Sequence, residues 1–214
     1  SSDLEFENNR VKRWYDIGPF RHASATPASN INNQPGLMYY VYGHDTQKHT
    51  YGVKSETSGT QTLTSNLGSS ISRQNVTLYL ALNFDDENGA ADNIVLLSSK
   101  SGGSNQNKFV LKTSSITDFE GQLELVRYND AGTSFSVINQ SDYRTKKWEI
   151  IKLEVYSSQL AIKSILTEND ATYSFAESYT SSSTSDNITL MQFTMSFANG
   201  YAIGEVLIYD GMTS

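Results

Sequence analysis

The chain has 214 residues, no cysteine and a formal net charge of -7, with its basic residues scattered singly or in pairs. The length supports a hydrophobic core without covalent staples, while the charge argues against a face that tracks a phosphate backbone. Without cysteine there is no disulfide, thiolate metal site or thiol nucleophile, and no window approaches the roughly 18 to 20 consecutive apolar residues of a membrane-spanning helix.

Residues 1–36 hold all three prolines, Pro19, Pro27 and Pro35. With little alternation, this stretch reads as an extended arm of a single domain spanning 1–214. It opens on acids instead of a signal peptide's basic start. Beginning at Ser1-Ser2 without Met, the chain reads as a processed or excised part of something larger. Residues 52–72 are rich in Ser, Thr and Gly, with one short candidate strand at 60–64. A linker between two domains is the alternative there.

From Val76 the pattern is clear. In "VTLYLALNF", Val76, Leu78, Leu80, Leu82 and Phe84 share one face, and Thr77, Tyr79, Ala81 and Asn83 share the other, the period of a strand. Phe109 and Leu111, Leu123 and Leu125, and Ile151, Leu153 and Val155 repeat it. The turn signals "DDENG", "SGGSN", "NDAG" and "TEND" separate these runs, as in a sandwich or barrel. No segment sustains a helical period, so the fold class is all-β. In "NITLMQFTMSF" the apolar phase moves from Ile188 and Leu190 to Met191, Phe193, Met195 and Phe197, which predicts a bulge or bend. The last run, "GYAIGEVLIYDG", carries a carboxylate, Glu205, in an otherwise apolar strand.

Three stretches resemble the concanavalin A-like, laminin-G-like jelly-roll modules. The first is "VKRWYDIGPFRHASATPASNINNQPGLMYY", with Val11, Trp14, Asp16, Ala23 and Gln34-Pro35. "VTLYLALNF" through "IVLLSS" is similar to that family's long strand pair, and "YAIGEVLIYDGMTS" to its closing strand. Ile17-Gly18-Pro19 departs from the family's Ser-Gly opening turn. The resemblance implies a two-sheet antiparallel jelly-roll β-sandwich of about 6 or 7 strands per sheet, with first and last strands adjacent. It also implies structural roles for Trp14, Asp16 and Glu205. A partly buried Glu205 needs hydrogen-bond partners, and the expected ones lie near Arg13 to Asp16.

Glycosidases on this fold use paired acids about 5 Å apart in retaining members. Glu149 and Glu154, five residues apart in "WEIIKLEVY", fall on opposite faces of a strand; Glu124 is a lone acid expected on a solvated face. His22, His44 and His49 lack ligand spacing, and no serine lies in Gly-x-Ser-x-Gly. The expectation is no enzymatic activity. "FDDENGAADN" offers Asp85, Asp86, Asn88 and Asp92 as oxygen ligands for calcium, or is simply an acidic hairpin turn.

Sugar recognition needs flat apolar faces beside amides and carboxylates. Tyr39, Tyr128, Tyr143, Tyr173 and Tyr179 are the candidates, although Tyr is also a favoured strand residue. Trp14 and Trp148 are expected to be core or arm anchors. Asn75, Asn139 and Asn187 begin sequons, relevant only in a glycosylating compartment. Few charges, abundant Ser, Thr and Asn, and thirteen tyrosines suit an extracellular, cell-surface or virion setting. The functional expectation is a non-catalytic glycan-binding adhesion module. The alternatives are a virion structural domain that contacts neighbouring proteins and, behind it, a glycosidase with unusually placed acids.

Overall fold

The structure, a computed structural model, describes residues 4–8, 10–15, 24–27, 35–41, 49–55, 61–84, 95–100, 108–113, 122–139, 148–157, 159–167, 178–181, 188–197 and 201–210. These form strands β1 (Leu4–Glu7), β2 (Arg10–Tyr15), β3 (Ser24–Pro27), β4 (Gly36–Val41), β5 (His49–Lys54), β6 (Gln61–Arg73), β7 (Asn75–Phe84) and β8 (Val95–Lys100). The second half adds β9 (Phe109–Thr113), β10 (Leu123–Tyr128), β11 (Ser134–Ile138), β12 (Trp148–Tyr156), β13 (Gln159–Thr167), β14 (Ser178–Ser181), β15 (Ile188–Phe197) and β16 (Tyr201–Asp210). No helix occurs among the described residues.

Hydrogen bonding runs in the order β11-β10-β9-β8-β15-β6-β3-β2-β4-β5-β16-β7-β12-β13-β14, with β1 on β2. Two antiparallel sheets are recognisable in that path. One runs from β11 to β3 and β2, the other from β4 to β14, and the pair Arg10↔Gly36 joins them in register. The far ends of the path fold toward each other, because Arg127 on β10 donates from Nη1 to the carbonyl of Tyr156 on β12.

The core fills the space between the sheets. From one side come Val53, Val76, Leu78, Leu80, Leu82, Ile151, Leu153, Val155, Leu160, Ile162 and Ile203; from the other come Leu63, Phe109, Leu111, Leu123, Leu125, Val137, Phe193, Met195 and Phe197. Phe109 and Phe193 meet with ring centroids 6.2 Å apart. The alternation expected of β7, β9, β10 and β12 is therefore the alternation observed. Burying such side chains contributes roughly 1.5–3 kcal/mol each.

Turn and bulge chemistry also follow the sequence. At "NDAG" the Gly132 amide donates to the Asn129 carbonyl at 3.0 Å, and the Asn129 side chain accepts from the Thr133 amide at 2.8 Å. Gly132 has φ 78°, the left-handed region that glycine enters at no steric cost. In β15 the register against β6 shifts between Leu190 and Gln192. That is the phase change read at Met191.

Two expectations change, those for residues 61–73 and for the placing of the first and last strands. Residues 61–73 form one continuous thirteen-residue strand, β6, where composition suggests only a short strand at 60–64: pairing with β15 and β3 overrides weak local propensity. Within 1–36, β2 and β3 lie on the hydrogen-bonded path, with β3 pairing to β6, and β1 pairs with β2 off that path. Among the described strands the first and last are not adjacent. β16 lies between β5 and β7, because the β4–β5 hairpin separates it from the N-terminal strands.

Candidate functional site

The outward faces of β16, β7, β12 and β13 combine into one surface. Because residues directly opposite in antiparallel strands share a face, their register reads off rows of neighbours. One row is Leu207, Tyr79, Lys152 and Lys163; the next is Tyr209, Thr77, Glu154 and Ala161. Tyr79 and Tyr209 meet edge to face, with centroids 5.7 Å apart and planes at 88°. Tyr209 is 44% exposed, and Leu207 and Ile208 beside it are exposed as well.

Next to the rings lies a polar relay. Lys152 Nζ contacts Glu154 Oε1 at 2.7 Å, and Gln159 Nε2 donates to Glu154 Oε2 at 3.0 Å. Burial by itself lowers the Lys152 pKa, but the hydrogen bond and charge of Glu154, helped by Tyr79 and Tyr156, outweigh it and raise the value above 10.5. The ammonium stays charged at neutral pH. Beneath it the Thr77 and Tyr156 hydroxyls share a buried hydrogen bond of 2.9 Å. The face thus offers aromatic surface, a carboxylate fixed at both oxygens, an amide and ammonium groups within a few strand spacings.

Tyr79 and Tyr209 were not among the tyrosines singled out from the sequence. The alternation of "VTLYLALNF" does place Tyr79 outward with Thr77, but only the pairing of β16 with β7 brings Tyr209 beside it. Of the selected tyrosines, Tyr128 ends β10 half-buried, with the Lys108 ammonium 5.0 Å from its ring centroid. One face of that ring is already taken by a cation. Tyr39 stands in β4 opposite Tyr51, and Tyr179 in β14 opposite Ala161, at the end of the row that carries Tyr209 and Glu154. Tyr143 and Tyr173 lie outside the described residues.

The acids sort cleanly. Glu149 is buried in the inward phase of β12, opposite Leu82, and Glu154 faces outward opposite Thr77. They form no glycosidase pair. Glu124 is half-buried and bridged to Lys112 at 3.0 Å, instead of standing alone in solvent. Glu205 is exposed, aligned with Ala81 after a register shift between Ile203 and Glu205. The partial burial expected of it is absent, because the shift turns its carboxylate to water. Trp14 stands in β2 opposite Leu4 and Ala25; its side chain, that of Arg13, and Asp16 lie outside the description.

Trp148 is buried, as expected of an anchor, although it sits on the outward side of β12. Glycines make the room: a Cβ at Gly52 would lie 2.8 Å from Trp148 Cη2, and one at Gly204 3.0 Å from Cζ3. Among the described residues no group of three or more His, Asp or Glu is placed to hold a metal. Asp85, Asp86, Asn88 and Asp92, the calcium candidates, lie outside them. No described helix is long and apolar enough to cross a membrane.

No protein-family model matches the chain, and no curated protein matches its sequence. Solved structures do match. A crystal structure of an HCR/D mutant gives a TM-score of 0.60 at 12% identity, covering 99% of this chain and 48% of that one, so this chain spans about half of its length. The VIP36 exoplasmic/lumenal domain in its Ca2+/Man3GlcNAc-bound form gives 0.49 at 9% identity, over 83% of this chain and 86% of that one. The LG1-3 region of the laminin alpha2 chain gives 0.45 at 13%, over 78% and 35%. What the likeness to the first of these shows is the fold, an all-β jelly-roll sandwich of two antiparallel sheets.

Proposed function

We propose that the chain is a non-catalytic carbohydrate-binding module whose sugar seat is the outward face of β16, β7 and β12. The observation that carries this reading is the right-angled pair Tyr79–Tyr209 beside the carboxylate of Glu154. Rings provide flat apolar surface for a pyranose, and a carboxylate held in place by Lys152 and Gln159 is pre-oriented for hydroxyls. Glu149 and Glu154 on opposite faces speak for binding without hydrolysis.

In this reading the module is one domain of a larger extracellular, cell-surface or virion protein. Its partner is a cell-surface glycan, and its cofactor is calcium, with Asp85, Asp86, Asn88 and Asp92 as the oxygen donors. A glycan array run with calcium and again with chelator tests both parts. Wild type is expected to bind a defined glycan set and Tyr209→Ala to lose it. A blank array in both conditions removes the sugar reading, and equal binding with chelator removes the calcium.

A second reading is supported by the end of β16. Beyond Ile203 that strand is paired with β7 alone among the described residues, and it exposes Leu207, Ile208 and Tyr209 together. A half-open edge with apolar side chains suits a protein neighbour. Sedimentation of wild type against Ile208→Lys distinguishes this: an assembly that dissociates in the variant favours the structural-domain reading.

A further inference from the structure

Among the described strands β11 closes one end of the hydrogen-bonded path and pairs with β10 alone. Strands β13 and β14 of the other sheet approach it without forming a ladder with it. Two main-chain bonds bracket the β10–β11 pair and fix its phase: the Asn129 amide donates to the Thr133 carbonyl at 3.0 Å, and the Asn139 amide to the Leu123 carbonyl at 2.9 Å. In an antiparallel pair, bonded and non-bonded positions alternate, so Phe135 and Val137 bond to Arg127 and Leu125. The amides and carbonyls of Ser134, Ser136 and Ile138 therefore point the other way, off the edge of the sheet. Ser134 and Ser136 are exposed there. Such a row of donors and acceptors is a template for another strand, and native edges are blunted by charge, proline or a bulge. β1 carries Glu5 and Glu7, and the exposed end of β16 carries Glu205 and Asp210. β11 has none of these devices: residues 131–141 contain no charge and no proline, and its register against β10 runs without a shift.

We infer that β11 pairs antiparallel with β11 of a second copy of this chain, about a two-fold axis at Ser136, so that the first sheet continues from one copy into the next. Ser136 then stands opposite its own copy and Ser134 opposite the copy's Ile138, and each outward amide meets a carbonyl. The edge is complementary to itself, as a closed two-fold contact requires. Charge selects the same place. Two chains of net charge -7 repel each other, and they do so least where an uncharged strip meets its like. The inference stands apart from the carbohydrate-binding reading, to which a dimer adds bivalence.

Sedimentation of the full chain from about 1 µM to about 1 mM tests it, because mass action populates even a small edge-to-edge contact at the upper end. Wild type is expected to shift from 23.7 kDa toward twice that mass. Ser136→Pro removes an outward amide and no bond to β10, at a place where an edge strand accepts proline, and should abolish the shift. Ser136→Lys should do the same by setting like charges opposite each other, whereas Ile208→Lys, on the exposed end of β16, should leave it unchanged. Hydrogen exchange on wild type supplies a readout that needs no variant: the amides of Ser134, Ser136 and Ile138 should become protected as concentration rises. A monomer at every concentration overturns the inference, and so does protection of these amides that ignores concentration. An assembly that both Ser136 variants keep overturns it as well. So does one that grows beyond two copies, since β11 against a copy's β14 is a head-to-tail contact that does not close on itself. A dimer lost only in Ile208→Lys overturns it in favour of the edge of β16.

Discussion

The indole of Trp148 rests on Gly52 so closely that a Cβ at that glycine would lie 2.8 Å from the ring's Cη2 atom. Gly204, on β16, flanks the same ring, with a Cβ there 3.0 Å from Cζ3. The register of β16 against β7 shifts at this point, and the pairing of β16 with β5 ends just before it, at Ile203. The indole therefore lies where the sheet opens, and the exposed end of β16 begins beyond it.

Gly52→Ala should accordingly destabilise the protein by about 1–3 kcal/mol, the usual cost of overpacking, and Gly204→Ala by less. Trp148→Ala should cost about 3–5 kcal/mol through the cavity it leaves. Urea unfolding followed by circular dichroism measures all three. An unchanged midpoint for Gly52→Ala would show that the ring can move aside.

Arg127 is fully buried and donates to the Tyr156 carbonyl across the sandwich. Arg127→Met keeps most of the volume but leaves that carbonyl short of a donor, which costs about 1–3 kcal/mol. Arg127→Ala adds a cavity and should cost more. The order of denaturant midpoints, wild type above Met above Ala, is the expected result. A Met variant as stable as wild type would mean that the guanidinium contributes packing only.

The pair Lys152–Glu154 has a defined signature in pH. Because the folded pKa of Lys152 is raised above 10.5, its stabilising effect is complete below the unfolded value of about 10.4. It is lost only as pH climbs through the folded value. Lys152→Met should therefore lower stability by up to about 1 kcal/mol at pH 7, with the gap to wild type closing above pH 10.5. Thermal midpoints of both proteins from pH 6 to the alkaline limit reveal the trend; a gap that grows with pH contradicts it.

Binding should separate the tyrosines. Tyr209→Ala removes an exposed ring and is expected to weaken glycan binding by about tenfold or more, in line with roughly 1–2 kcal/mol for a stacked aromatic. Tyr128→Ala, whose ring already carries the Lys108 ammonium, should leave binding near wild type. Titrations followed by intrinsic fluorescence compare the two, and a larger loss for Tyr128→Ala would move the seat to the β10 end of the sandwich.

Alternation in "VTLYLALNF" and "WEIIKLEVY" was enough to tell strand from helix and core face from outer face. Successive side chains on any extended backbone must point to opposite sides. The bulge at Met191 and the glycine turn at "NDAG" were legible for the same reason, each being a local rule of phase or of φ. The acids of β12 could be assigned to opposite faces from spacing alone.

What local rules could not supply was contact between distant segments. Tyr79 and Tyr209 meet only because β16 pairs with β7 across a sequence separation that no periodicity reports. Trp148 is buried on the outward side only because two glycines from β5 and β16 leave space there. Glu205 faces water because a register shift at Gly204 sets its phase. The sequence by itself determined which residues alternate and therefore which form strands and core, since that is a property of each strand alone. Only the tertiary structure decided which outward residues become neighbours, because strand order and register arise from packing the whole sandwich.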